Sequence, residues 1–413
     1  MPKRRIAIIG AGAAGLFAAA SIGLCDDAEI VLFDKNKYPG KKLLITGKGR
    51  CNVTNNCDVQ EFMSNVPQNA KFLYSALNLL SPQNTIDFFE GIGVKLKTER
   101  GKRVFPESDR AVDIRDALTK AARENGAKFV FEQVLRVEKD SGVFNVTTDK
   151  DKYKFDKVIL ATGGVSYPRT GSTGDGFKFA KAFGHTVTPL YPSLVPLVCK
   201  ENFLSSLMGL SLKNVRLTIV DSQNSKEVWS DFGEMLFTHF GLSGPLVLTA
   251  SSYVRNIGAH QGRYIASIDL KPALSAEELD KRILSDFSKN QNKDFINSLS
   301  DLLPSKLIPV VVERSKIPAR IKVCEIKKED RLRLVKLLKS FDLKIVSTRP
   351  VDEAIITSGG VKISEITPST MESKLVEGLY FAGEIIDIDA YTGGFNLQIA
   401  FSTAYTAIKS CLM

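Results

Sequence analysis

Apolar residues along this chain change their spacing several times, and each change predicts a different element. Residues 4–9 (RRIAII) form a short apolar run that predicts a buried strand, and GAGAAG then leads into LFAAASIGL, a helical run. EIVLFDK (29–35) predicts a second strand ending on an acid. Strand, glycine turn, helix, strand is the opening of a βαβ unit with a parallel sheet. Further on, KFVFEQVLRVEKD, GVFNVTTD and KYKFDKVILATGG are three β-rich runs separated by turn signals. They predict a small antiparallel excursion that returns to the main sheet at VILATGG.

From about Pro189 the pattern changes. Alternating, proline-punctuated segments such as SLVPLVC, VRLTIVD and GRYIASIDL predict a β-rich module, and KPALSAEELDKRILSDF begins a helical stretch that ends near LVKLLKSF. LKIVST, EAIITSGGVKISEI and GLYFAGE are strand-like again, and a last helix follows YTGG. No repeat of 20–50 residues and no low-complexity linker interrupts the chain. The economical arrangement is one α/β nucleotide domain made from both chain ends (1–190 and 356–413). It is interrupted by a β-rich module over 191–273, to which 340–355 return, and a helical insertion over 274–339.

Composition adds bounds. A chain of 413 residues is long for one core. No apolar run approaches the roughly 20 residues of a spanning helix, and the N-terminus lacks the longer apolar region and cleavage site of a signal peptide. A cytoplasmic protein with no membrane partner is expected, which makes Asn52-Val53-Thr54 a chance sequon. The six cysteines (Cys25, Cys51, Cys57, Cys199, Cys324, Cys411) are scattered, with no Cys-x-x-Cys pair, so neither a disulfide framework nor a metal site is expected. Net charge is +10, and residues 313–339 alone hold ten Lys or Arg against four Asp or Glu. Such a segment follows a phosphate backbone or is simply a solvated helix face.

Gly10-Ala11-Gly12-Ala13-Ala14-Gly15 lies directly after a strand and opens a helix, the context in which GxGxxG points to a dinucleotide. Gly10 permits the tight turn, Gly12 lets backbone approach a pyrophosphate, and Gly15 allows close packing of helix on strand. The helix N-terminus, with Ala13 and Ala14, offers N–H groups and a positive dipole to phosphates. Asp34 falls nineteen residues after Gly15, where a carboxylate accepts from ribose hydroxyls. A glycine-rich turn without a ligand is the plainer reading.

FAD is favoured over NAD alone by distant glycine features. Ala161-Thr162-Gly163-Gly164 ends a strand far downstream, Gly383-Glu384 follows GLYF, and Thr392-Gly393-Gly394 precedes the last helix. A flavin needs support well beyond the first βαβ unit, and the last helix would place N–H groups and dipole near it. The stretch GKKLLITGKGRCNVTN (40–55) is then expected beside the pyrophosphate and the flavin. Gly47 and Gly49 would allow close backbone approach, and Lys42 or Arg50 would offset phosphate charge. Cys51 is either a thiolate favoured by those cations or a small buried side chain.

Six ordered segments, GAGAAG, GKKLLITGKGRCNVTN, ATGGVSYPRTGSTGDG, LFTHFGLSGP, TSGGVKISEITPSTMESK and GLYFAGEIIDIDAYTGGFNLQIAFSTA, together resemble the BaiN/RdsA-like family of FAD-dependent oxidoreductases over nearly the whole chain. The resemblance implies a glutathione-reductase-type FAD-binding Rossmann domain, an inserted β-barrel-like domain and a small helical domain. It also implies an NAD(P)H-dependent enzyme. Activities assigned in the family are ribosomal RNA dihydrouridine synthase, reductase of unsaturated 3-oxo bile acid derivatives, and aminoacetone oxidase. The first two reduce a carbon–carbon double bond polarised by a carbonyl.

The expected cofactor contacts are Gly10, Gly12, Ala13, Ala14, Gly15, Asp34, Lys35, Lys42, Thr46, Gly47, Gly49, Arg50, Asn52, Val134, Ala161, Thr162, Gly163, Gly383, Glu384, Gly394, Phe395 and Asn396. The candidate proton donors are His239, in LFTHFGLSGP, and Cys51. Histidine suits proton transfer at neutral pH, while Tyr167 and Tyr391 are less favoured because a phenol is a weak acid there. His185 and His260 are assigned no role. No second GxGxxG exists for NADH or NADPH, which would dock transiently. The expected partner is ribosomal RNA or a small-molecule substrate, with no obligate protein partner.

Overall fold

A computed structural model describes residues 3–23, 27–254 and 262–413; Cys25 and His260 lie outside them. The chain forms two compact units, Met1–Ser193 with Val351–Met413, and Leu194–Pro350.

The first unit is built on a five-stranded parallel sheet in the order Leu379–Phe381, Lys157–Leu160, Arg4–Ile9, Ala28–Phe33, Lys128–Val130. A parallel sheet is covered on both faces, so its strands read as continuous apolar runs. Ile6, Ala7 and Ile8 are accordingly all wholly buried. The helix Ala13–Ala20 crosses from the first strand and meets the closing helix Phe395–Leu412. The Phe17 and Phe401 rings stack there with centroids 4.7 Å apart. The helix Ala111–Glu124 precedes the edge strand and buries Ala111, Ile114, Leu118, Ala121 and Ala122, one face at helical spacing. The antiparallel excursion comprises Val134–Asp140, Val143–Thr148 and Lys152–Phe155.

Residues 54–55 are sewn to the closing helix. Thr54 Oγ1 donates to Gln398 Oε1 at 2.6 Å, and Gln398 Nε2 lies 2.8–3.1 Å from Thr85 Oγ1, Ser402 Oγ and the Leu80 carbonyl. The side chain of Gln398 is wholly buried. A Cβ on Gly394 would lie 2.3 Å from the Thr54 carbonyl oxygen, so only glycine lets this helix start against that strand.

The chain leaves the first unit after Ser193 and re-enters at Val351. The strands nearest these points, Tyr191–Ser193 and Ile356–Ser358, pair as an antiparallel ribbon. Buried Asp389 accepts from Ser193 Oγ at 2.7 Å and from Ser358 Oγ at 2.9 Å, one hydroxyl on each strand.

The second unit is a closed antiparallel barrel of Leu197–Cys199, Gly241–Ser243, Lys226–Thr238, Ser211–Asp221, Tyr264–Asp269 and Phe341–Thr348, in that spatial order. Inward positions such as Leu217, Ile219, Phe237, Ala266 and Ile345 are wholly buried. The helices Ala276–Lys289, Ile308–Ser315 and Lys328–Lys339 are inserted between the last two strands. Five of the ten cations in 313–339 are engaged within this unit. Lys322, Arg331, Arg333 and Lys339 pair with Asp294, Asp280, Asp330 and Asp269, and the Arg314 guanidinium lies 4.2 Å from the Phe341 ring centre. Among the described residues no helix is long and apolar enough to cross a membrane.

Candidate functional site

A cavity opens at the carboxyl ends of the parallel strands, where open α/β sheets take their ligands. Among the described residues its walls come from the first unit and include Gly10–Ala14, Asp34–Asn36, Gly40–Leu43 with Thr46, Glu132–Val134, Ala161–Gly163, Thr170–Ser172, Ile355 and Ile356, Ala382–Glu384, and Asn396–Ala400 except Gln398.

The turn that opens the cavity is held by backbone. Gly10 N donates to the Phe33 carbonyl, and a Cβ at position 10 would lie 2.5 Å from the Ala161 carbonyl oxygen. Gly15 faces the other way, since its Cβ would fall 1.9 Å from the Gly10 carbonyl oxygen. Gly12 is different: a Cβ there meets no protein atom within 4 Å. The missing side chain at Gly12 therefore leaves space in the cavity rather than room for packing. Thr162 lines the same cavity, and its buried hydroxyl has no hydrogen-bond partner in the protein. The N–H groups at the start of the Ala13–Ala20 helix have no preceding turn to donate to. An open glycine face and helix N–H donors on the cavity wall fit a long dinucleotide cofactor such as FAD.

Asp34 lines the cavity while bracing the turn, with Oδ2 accepting from Ala11 N at 2.9 Å and Oδ1 from Asn36 N at 2.7 Å. Lys35 donates to Thr173 Oγ1 and Asp175 Oδ2 at 2.5 and 2.8 Å, which folds the 170–175 loop over the cavity edge. The Lys42 ammonium lies 2.6 Å from Glu384 Oε2 and 2.5 Å from Ser166 Oγ. Burial would raise the Glu384 carboxyl, but the Lys42 charge and hydrogen bonds from Lys42, Thr357 N and Ser166 outweigh it and hold the group below the usual carboxylate range.

Of the residues expected from sequence, Gly10, Gly12, Ala13, Ala14, Asp34, Lys35, Lys42, Thr46, Val134, Ala161, Thr162, Gly163, Gly383, Glu384 and Asn396 line the cavity. Gly15 does not, because it is spent on helix–strand contact. Gly47, Gly49, Arg50 and Asn52 do not line it either. Gly47, Lys48 and Gly49 form a left-handed turn (φ 56°, 60° and 86°), with Gly47 closing on Asn52, so these glycines serve the turn itself. Of the two cations expected beside phosphate, Lys42 lines the cavity and is paired there with Glu384, while the Arg50 guanidinium lies off the cavity wall, paired with Glu99 and Asp109. Gly394 and Phe395 pack on Thr54 and Phe62 instead of on the cavity. The sequence reading missed Ser166, Thr357 and the 170–172 wall. Residues 170–172 fall within the ATGGVSYPRTGSTGDG segment, but nothing local marks Thr357 as a neighbour of Glu384.

Cys51 is wholly buried, and burial pushes its thiol up to about 12, with a smaller opposing effect from a Thr46 hydrogen bond. The grounds for expecting a thiolate are gone, since Arg50 is already neutralised. His239 is exposed on the tight turn between Lys226–Thr238 and Gly241–Ser243 in the second unit.

His185 is buried, with Nε2 2.8 Å from Ser373 Oγ and Nδ1 3.2 Å from Glu365 Oε2 but not aligned for a hydrogen bond. Burial lowers its pKa, with Glu365 opposing. Below about pH 6.5 the unfolded chain binds a proton that the folded imidazole does not, so folding stability falls as pH falls. Urea midpoints should drop between pH 7 and pH 5.5, and His185→Gln should flatten that slope; an unchanged slope refutes it.

The sequence matches the family described as HI0933-like protein Rossmann domain over residues 4–410. It is 31% identical over 407 residues to a 3-dehydro-bile acid delta(4,6)-reductase of Clostridium scindens, covering 98% of each chain. It is 32% identical over 407 residues to a ribosomal RNA dihydrouridine synthase of Escherichia coli, covering 98% of this chain and 97% of the relative. The corresponding synthase of Haemophilus influenzae is 33% identical over 411 residues, again at 98% and 97% coverage.

Proposed function

We propose that this chain, which belongs to the HI0933-like Rossmann family, reduces a carbonyl-conjugated carbon–carbon double bond, with uridine in 23S ribosomal RNA as the first candidate substrate. It is an FAD-dependent oxidoreductase. The observation that carries the cofactor assignment is the Gly12 face, which is open to the cavity where Gly10 and Gly15 are closed by backbone. FAD bound there supplies two-electron chemistry, and NADH or NADPH is the proposed reductant.

The chain's own residues divide the work. The N–H groups opening the Ala13–Ala20 helix hold phosphate, and Asp34 fixes the turn and faces a ribose. His239 is the proposed proton donor, because its imidazole is exposed whereas burial makes the Cys51 thiol a very weak acid. The net charge of +10 supports an RNA substrate, since unpaired cations attract phosphates. The second reading, an enone reductase for a small molecule, is favoured by the bile acid reductase, which is as similar as the RNA enzymes.

The deciding experiment compares dihydrouridine in ribosomal RNA from cells with and without the gene. Loss on deletion, restored by the wild type, supports uridine. Unchanged dihydrouridine together with NAD(P)H-dependent turnover of a steroidal enone assigns the small-molecule reading instead. His239→Ala should cut turnover about a hundredfold or more while leaving bound FAD unchanged; a smaller loss removes His239 from the reaction.

A further inference from the structure

An ion pair set into the wall of a cofactor cavity needs an explanation other than stability. Lys42 and Glu384 keep 22% and 12% of their side-chain surface exposed. Four separate chain segments meet here, the pair's own two and those carrying Ser166 and Thr357. Ser166 Oγ bridges the pair, lying 2.5 Å from Lys42 Nζ and donating to Glu384 Oε1 at 2.9 Å. Thr357 N donates to the same oxygen at 2.8 Å, and Thr357 Oγ1 accepts from Val165 N and Ser166 N. A Cβ on Gly164 would lie 2.8 Å from Glu384 Oε1 and 2.3 Å from Thr357 Oγ1, so residue 164 carries no side chain where the carboxylate sits. Such enclosed pairs are weak contributors to folding, because desolvation cancels most of their attraction. Both members line the cavity. The other cations on its wall, Lys35 and Lys41, are held by Asp175 and Asn36.

We propose that Lys42 and Glu384 are an opposed pair of charges that sets the redox poise of the bound flavin, the ammonium favouring its reduced form and the carboxylate its oxidised form. This inference rests on the FAD reading of the cavity. Taking up two electrons and one proton leaves one more negative charge at the site, with the electrons supplied by NAD(P)H in turnover. A nearby cation stabilises that added charge and a nearby anion opposes it. Ser166 and Thr357 hold the two charges at fixed positions, so neither can swing away as the charge in the cavity changes.

The test is the midpoint potential of bound FAD, measured against a reference dye while xanthine and xanthine oxidase supply the electrons. Lys42→Met should lower the potential by about 30 mV, a tenfold change in the reduced-to-oxidised ratio for a two-electron couple. Glu384→Gln should raise it by a similar amount, and the double variant should return close to wild type. If methionine at 42 releases the flavin, Lys42→Gln carries the same expectation. Shifts in the same direction, or no shift, overturn the inference, because a purely structural pair would lose cofactor in both variants without opposite signs. A wild-type protein that takes up no flavin instead refutes the cofactor reading, whereas a yellow wild type with unmoved variants refutes only this one.

Discussion

Gly12→Val should give a folded protein with no flavin colour. The residue has φ −79° and ψ −163°, an extended conformation that any L side chain adopts. Its Cβ would meet nothing, so the protein has no steric reason to reject valine. The isopropyl group would project into the cavity, where the phosphates have to approach the helix N–H groups. Displacing them costs two or three charge-assisted hydrogen bonds, about 4 kcal/mol in total, or roughly a thousandfold in affinity. Gly15→Val makes the contrast, because its Cβ overlaps the Gly10 carbonyl oxygen and should leave the first unit unfolded or insoluble. Visible absorbance and urea midpoints of the flavin-free proteins distinguish the two outcomes. A yellow Gly12→Val protein would remove FAD from this cavity.

Gln398→Leu should cost the first unit about 3–5 kcal/mol. Leucine nearly matches glutamine in volume, so the loss is polar and not a cavity. It leaves the Thr54 hydroxyl without its acceptor and strips a donor from Thr85 and the Leu80 carbonyl, all in a dry interior. The effect should be local. The 40–55 segment would detach from the closing helix, seen as faster amide exchange at 54–55 with little change in the barrel unit. Loss under 1 kcal/mol would mean that water replaces the missing partners.

The parts of this fold that were plain from sequence are those where one local rule suffices. RRIAII before GAGAAG reads as a buried strand feeding a glycine turn, and the alternation in YIASID is that of a barrel strand with one face inward. The helix Ala111–Glu124 has a clear apolar stripe, yet residues 56–127 carry no glycine motif and drew no assignment. The misplacements around Gly47, Gly49 and Arg50 have a common physical cause. A glycine needed for a left-handed turn and a glycine needed for a ligand look identical in sequence, and an arginine does not announce that Glu99 and Asp109, some fifty residues on, already hold it. Thr357 and Glu384 illustrate the same limit, since their contact is made by the tertiary fold alone.

The cavity walls contain Gly10 near the beginning of the chain and Ala400 near its end. On the ribosome, the nascent polypeptide therefore exposes an incomplete binding site until residues 382–400 have been made. The barrel, encoded wholly between the two halves, can mature in the meantime, and the strand at 379–381 docks only after it has emerged. Closure of the cavity thus waits on residues 382–400, and a chain that stops before Ala382 would lack the wall that Ala382–Glu384 and Asn396–Ala400 supply.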